Sequence, residues 1–243
     1  MISVIEVYNA VRDLANKDQK GFVTPRVFNA FASVAQMAVY NTLFASLAPA
    51  HSIRNRGGDA AGGDSALRSV KDDVSRYVKE SALDGSDDTS LNADNNLFAY
   101  PSNFKKLISL RVNNDERTDV SLIYDPAKIG HILGSHLSSP SEQYPVALVA
   151  DSVELFPSDI NSVIMTYYRL PAASDFQGAL SVTDQPKISV LSTDDDGLFV
   201  PNVIECFNFD LPEHYKNQLI GELAKMIGIR LRDAQLLAST PQE

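Results

Sequence analysis

The stretches whose residue types come nearest to chemistry each break at the position that chemistry most needs. Asn16-Lys17-Asp18-Gln19-Lys20-Gly21 sets side-chain oxygens at the first and third positions and glycine at the sixth, as the opening of a calcium loop does. Lys20 then fills the fifth ligand position and Val27 stands where a bidentate glutamate belongs, so a helix-to-helix turn is expected instead. Gly58-x-x-x-x-Gly63-Asp64-Ser65 has the spacing of a phosphate loop, but Asp64 replaces the lysine, and a carboxylate there repels phosphate. Gly63-Asp64-Ser65-Ala66-Leu67 lacks the second glycine of a nucleophile elbow. His131 and His136 miss the four-residue step that puts two metal ligands on one helix face. Asp194-Asp195-Asp196-Gly197 reads as a solvated turn. No catalytic residue, metal site or cofactor is therefore expected.

Composition narrows the remaining classes. A chain of 243 residues with 44% hydrophobic residues can bury a sizeable core. A net charge of −10 argues against a general nucleic-acid binder, which needs a basic face to displace counterions from phosphate. Cys206 is the single cysteine, so no internal disulfide forms and a reducing compartment fits. The first residues, MISVIEVYNAVRD, lack the basic start and unbroken apolar run of a signal peptide, so export by that route is not expected.

The elements that would position these residues follow from periodicity. Val4, Val7, Tyr8, Val11, Leu14 and Ala15 mark a short first helix. Thr24 and Pro25 open a second, running to Pro49, on which Arg26, Asn29, Ser33, Gln36 and Tyr40 form one polar stripe. Residues 27–50 carry no charge, as a membrane span would, yet Asn29, Ser33, Gln36, Asn41, Thr42 and Ser46 interrupt them. A helical hairpin with leftover apolar surface is the better reading, and no membrane partner is expected. Residues 51–63 read as a glycine-rich mobile loop, 65–83 as a helix, and 84–96 as an acidic linker. Strands are expected at 105–112, 120–124, 146–150, 153–156, 163–170, 187–191 and 203–209, with a short helix capped by Asp125-Pro126. The last helix, 210–237, begins with a capping box of Asp210 and Glu213 and carries Tyr215, Leu219, Leu223, Met226, Ile227, Leu231 and Ala234 on its packing face.

These elements predict an α+β fold in which a helical hairpin and a long C-terminal helix enclose an antiparallel sheet or small sandwich. The segments are a hairpin over 1–49, a flexible insertion with one helix over 50–96, a β region with a short helix over 97–209, and a C-terminal helix and tail over 210–243, together one structural domain. The runs 14–29, Tyr144-Pro145-Val146, Val153-Glu154-Leu155-Phe156-Pro157, Leu170-Pro171 and Phe209-Asp210-Leu211-Pro212-Glu213-His214-Tyr215, then Ile227-Gly228-Ile229-Arg230-Leu231-Arg232, resemble in their order the virion structural proteins of crAss-like and related short-tailed phages. The final helix after its Leu-Pro-Glu start is similar to head-to-tail adaptor proteins. The resemblance does not reach residues 49–96.

It implies a non-enzymatic protomer of a ring in the neck or tail barrel, a dodecamer beside the portal and other neck or tail proteins. Such a subunit is assembled in the host cytoplasm, resides in the virion, and makes at most passing contact with genomic DNA. Phe31 and Val39 on the second helix are candidate contacts between subunits. Arg54 and Arg56, on their glycine-rich tether, either touch phosphate or pair with Asp87 and Asp88 of an adjacent subunit; repetition around a ring favours pairing. An alternative of another class is a soluble acidic module that regulates a partner protein.

Overall fold

Among the described residues of the computed structural model, four α-helices are anchored by the apolar residues that periodicity marks, and a fifth is capped where Asp125 directs it. The structure describes residues 1–17, 23–46, 60–84, 96–114, 117–135, 139–174, 180–181, 184–193 and 199–228. The chain divides into two compact units, Met1–Ser75 with Pro171–Glu243, and Arg76–Leu170. The β region read as continuous over 97–209 is thus shared between them.

In the first unit α1 (Val4–Lys17) buries Val4, Val7, Tyr8, Val11 and Ala15. Helix α2 (Pro25–Ala45) starts at Thr24, whose hydroxyl accepts from the Val27 N–H, with Pro25 where no helical donor is needed. It ends at Ala45, four residues before Pro49. Tyr8 bridges the two helices: its ring meets Phe28 edge-on at 5.3 Å and its hydroxyl donates to the Val23 carbonyl at 3.0 Å. The broader helix contacts, however, run from α1 and α2 to the C-terminal helix. Leu219, Leu223 and Ala224 of that helix are buried in one core with Phe28, Ala32, Ala35, Val39, Ile188 and Phe209. Each such large apolar side chain contributes about 1.5–3 kcal/mol on leaving water.

The C-terminal helix differs from its sequence reading at both ends. A 3₁₀ turn, Glu213–Tyr215, precedes an α-helix of only twelve residues, Lys216–Ile227 (α5 below). The N-cap position of that turn is Pro212 rather than Asp210, whose carboxylate accepts from the Ala172 N–H at 3.1 Å. Gly228 stops the helix in the left-handed region at φ 80°, its N–H bonding Ala224 and Lys225 carbonyls. Residues 229–237 of the expected helix, with Leu231 and Ala234, lie outside the described residues.

Helix α3 spans Ala60–Ser75 and the chain turns at once into strand β1, Val78–Asp84. This corrects the sequence twice: the loop read as ending at Gly63 is already helical from Ala60, and the helix read to Leu83 stops at Ser75. Val78 fits the helical period of Leu67, Val70 and Val74, but full pairing with another strand outweighs that weak local preference. Along the chain come β2 (Leu97–Phe98), β3 (Phe104–Val112), β4 (Ser121–Ile123), α4 (Pro126–Leu133), β5 (Val146–Val149), β6 (Val153–Phe156) and β7 (Ser162–Arg169). Asp125 caps α4 by accepting from the Ala127 N–H at 3.0 Å.

Among the described residues two sheets form the second unit, in the orders β1-β7-β3 and β2-β6-β5-β4. Their facing sides share one core, in which Leu83, Leu110, Val163, Met165 and Tyr167 meet Phe98, Ala147, Val153 and Leu155, a small sandwich. The β5–β6 hairpin forms as its spacing predicts. Three details depart from expectation. β7 does not join that hairpin but runs down the middle of the other sheet. β3 and β4 separate into different sheets after a brief contact at Arg111 and Asp119. β4 pairs with β5 in parallel, so the second sheet is mixed.

Short strands finish the first unit: β8 (Ala173–Ser174), β9 (Leu180–Ser181), β10 (Val190–Thr193), β11 (Phe199–Pro201) and β12 (Asn208–Phe209), with a 3₁₀ turn at Val203–Glu205. The strands expected at 187–191 and 203–209 are therefore shifted and broken. Lys187 keeps only a single bridge to Phe207. The observed architecture is α+β. No helix among the described residues is long and apolar enough to cross a membrane.

Candidate functional site

The residues singled out for chemistry scatter. Asn16 and Lys17 finish α1, while 18–21 lie outside the described residues. Gly63, Asp64 and Ser65 sit within the backbone of α3, so Gly63 does not shape a turn ahead of a helix, and Gly58 lies outside the described residues. His131 is exposed on α4; His136 and 194–197 lie outside the described residues. Among the described residues no group of three or more His, Cys, Asp or Glu side chains is placed to hold a metal ion. Cys206 is buried with its Sγ accepting from the Ser189 N–H at 3.4 Å, and burial pushes its thiol up from the ordinary value.

One cluster of titratable groups does assemble, at the start of the C-terminal helix. Asp73 of α3 accepts from the Tyr215 hydroxyl at 3.2 Å and meets His214 Nε2 at 3.1 Å. Burial first, then the charge of Asp73 and the hydrogen bond to it, push the Tyr215 phenol up to about 12. A phenol held so firmly protonated is no base at neutral pH. The cluster ties α3 to α5, and Lys216 beside it binds Glu6 of α1.

The polar stripe of α2 has a similar structural job. Asn29 donates to the Ile188 carbonyl at 2.9 Å and accepts from the Ile188 N–H at 2.8 Å, as a strand's backbone would. Gln36, buried, donates to the Ala172 carbonyl at 3.3 Å and accepts from the Asp210 N–H at 3.0 Å. Two incoming segments are thereby docked on a helix through side-chain amides.

The proposed subunit contacts fare unevenly. Val39 is wholly buried in its own core and Phe31 packs half-buried against it, so Val39 has no surface to offer a partner. The apolar excess of α2 that suggested them is consumed mostly by α5. Arg54, Arg56, Asp87 and Asp88 lie outside the described residues.

The surface that does stand ready is the outer face of β1-β7-β3. Val78, Tyr168 and Lys106 form one row across the strands, Glu80, Thr166 and Ser109 the next, and Ala82, Ile164 and Arg111 the third. Alternation places Leu83, Val163 and Val112 on the other, buried face. Val78 is 39% exposed, and the bulge between Leu107 and Ser109 leaves Ile108 40% exposed. Tyr124, Leu133 and Tyr144 add further exposed apolar area to this unit. Sequence reasoning missed Val78 and Glu80 because it placed them on a helix, and no local pattern in VKESALD marks a strand.

No protein-family model matches this sequence, and a search of curated proteins finds no match either.

Proposed function

We propose that this chain is a non-catalytic structural subunit of a phage virion, repeated around a ring in the head-to-tail neck or tail barrel. The observation that carries the reading is the display of large apolar side chains on the Arg76–Leu170 unit, above all Val78 and Ile108 on the two outer strands of one sheet. Apolar groups held on an ordered backbone lose little backbone entropy when a partner covers them, which suits an assembly surface. The ordered motifs that resemble those of short-tailed phage virion proteins supply the kind of assembly. Portal and other neck or tail proteins are the proposed neighbours, with the virion as its place.

Electron microscopy of the purified chain, alone and mixed with portal, tests this. Closed rings of one size, or a stoichiometric collar on the portal, are expected. A chain that stays monomeric by light scattering and leaves the portal bare rules the reading out.

A further inference from the structure

The β1-β7-β3 sheet has two margins of opposite charge on the same face, and no strand lies beyond either one among the described residues. On β1, Glu80 is exposed; on β3, Lys106 is exposed; neither side chain has an ion pair or hydrogen bond among the described residues. Lys79 belongs to the opposite face, in the row of Tyr167. The segment at 118–120 meets β3 only near its end, where Val112 donates to the Thr118 carbonyl at 2.9 Å and Val120 donates to the Leu110 carbonyl at 3.0 Å. Residues 104–109 run along the margin before that point.

We propose that these margins join copy to copy: β1 of one chain lies along residues 104–109 of β3 in the next. Strand edges with no partner strand among the described residues invite such pairing, and this one is a seven-residue strand without proline. Both β1 and β3 run antiparallel to β7, so they run parallel to each other. A rotation that repeats the chain preserves that direction, and the new pair is therefore parallel. In the simplest register Val78 of one copy falls beside Lys106 of the next, because both already share the Tyr168 row. Glu80 then lies diagonal to Lys106, about 7–8 Å away and within reach of two long side chains. Val78 and Ile108 cover each other at the junction.

A contact between two unlike margins is head-to-tail, so it repeats and closes into a ring when the rotation per copy allows. Closure rests on the ring reading above; the contact itself does not.

Oxidative cross-linking of the full chain carrying Val78→Cys and Lys106→Cys tests the contact. Within one chain these positions flank Tyr168, two strand spacings or about 9.6 Å apart. That is beyond the roughly 4.4–6.8 Å a disulfide spans, so any bridge must join two copies. Cys206 is buried and does not compete. The expected result is a reducible ladder of dimer, trimer and larger species, while each single-cysteine variant stops at dimer. A ladder that ends at dimer in the double variant, or no bridge at all, overturns the proposal. Closed rings in micrographs without a ladder leave the ring reading standing and move the contact elsewhere. A ladder with open filaments keeps the contact and removes the ring. As a second measurement, E80K and K106E should each raise the concentration needed for assembly about three- to tenfold, and the combined swap should restore it.

Discussion

Asn29 shows how much a single side chain is asked to do in this protein. Its amide holds both backbone groups of Ile188, a residue 159 positions away. Asn29→Ala strands an N–H and a C=O in a half-buried place and is expected to cost about 2–3 kcal/mol, read as a lower urea midpoint with unchanged slope. A variant as stable as wild type would show that water replaces the amide freely. The polar stripe was visible in the sequence as a 3.6-residue repeat through Asn29, Ser33 and Gln36. Its purpose was not, because Ile188, Ala172 and Asp210 sit too far along the chain for any local pattern to reveal them. Tyr215 gives a second residue-scale outcome. Its phenol ionises near 10 when unfolded and near 12 when folded, so the folded protein keeps a proton the unfolded chain releases. The stability it contributes is complete below pH 10 and is lost as pH rises toward 12. Tyr215→Phe forfeits the bond to Asp73, about 1 kcal/mol at neutral pH, and its deficit against wild type should shrink between pH 10 and 12. Paired urea titrations across that range check it; a constant gap contradicts it.

At the scale of elements, the legible ones carried their own punctuation. Thr24-Pro25 and Asp125-Pro126 announce α2 and α4, and Asp151-Ser152 sits between β5 and β6, so each could be found from a few neighbouring residues. β1 could not, since Lys79, Glu80 and Ser81 have little strand preference and are held by the ladder to β7 alone. The C-terminal helix was overextended because Gly228 falls within an apolar repeat that continues on both sides of it. In the structure that glycine is the stop: at φ 80° a side chain is strained although nothing lies within 4 Å of its Cβ position. Gly228→Ala should therefore destabilise by about 1–2 kcal/mol through backbone strain alone, and Gly228→Asn by less. Thermal melts of the two variants decide this; equal losses would point to a contact rather than to conformation.

For the whole molecule, the sequence yielded the α+β class but not the division of labour between Arg76–Leu170 and the rest. A boundary at 75/76 has no linker composition to betray it, since α3 passes into β1 within two residues. What marks it is spatial: the Arg169 N–H donates to the Tyr77 carbonyl at 2.7 Å, and the Arg169 guanidinium lies 5.4 Å above the Tyr77 ring. The unit begins and ends at one point. Residues 76–170 expressed alone should therefore fold, with a cooperative melt and a β-type circular dichroism spectrum. A fragment with no cooperative transition would show that it needs the helices.

That shared point sets a sequence in time. Residues 76–170 leave the ribosome as one continuous stretch, whereas the helical unit must wait until residues 171–228 are made, since α5 closes its core. Once the β sandwich has folded, Tyr77 and Arg169 are neighbours, and the long loop that separates the two halves of the helical unit behaves as a short one. Shortening it that way spares about 2–3 kcal/mol of closure entropy. The inserted sandwich, once folded, brings together the two chain ends from which the helical unit continues.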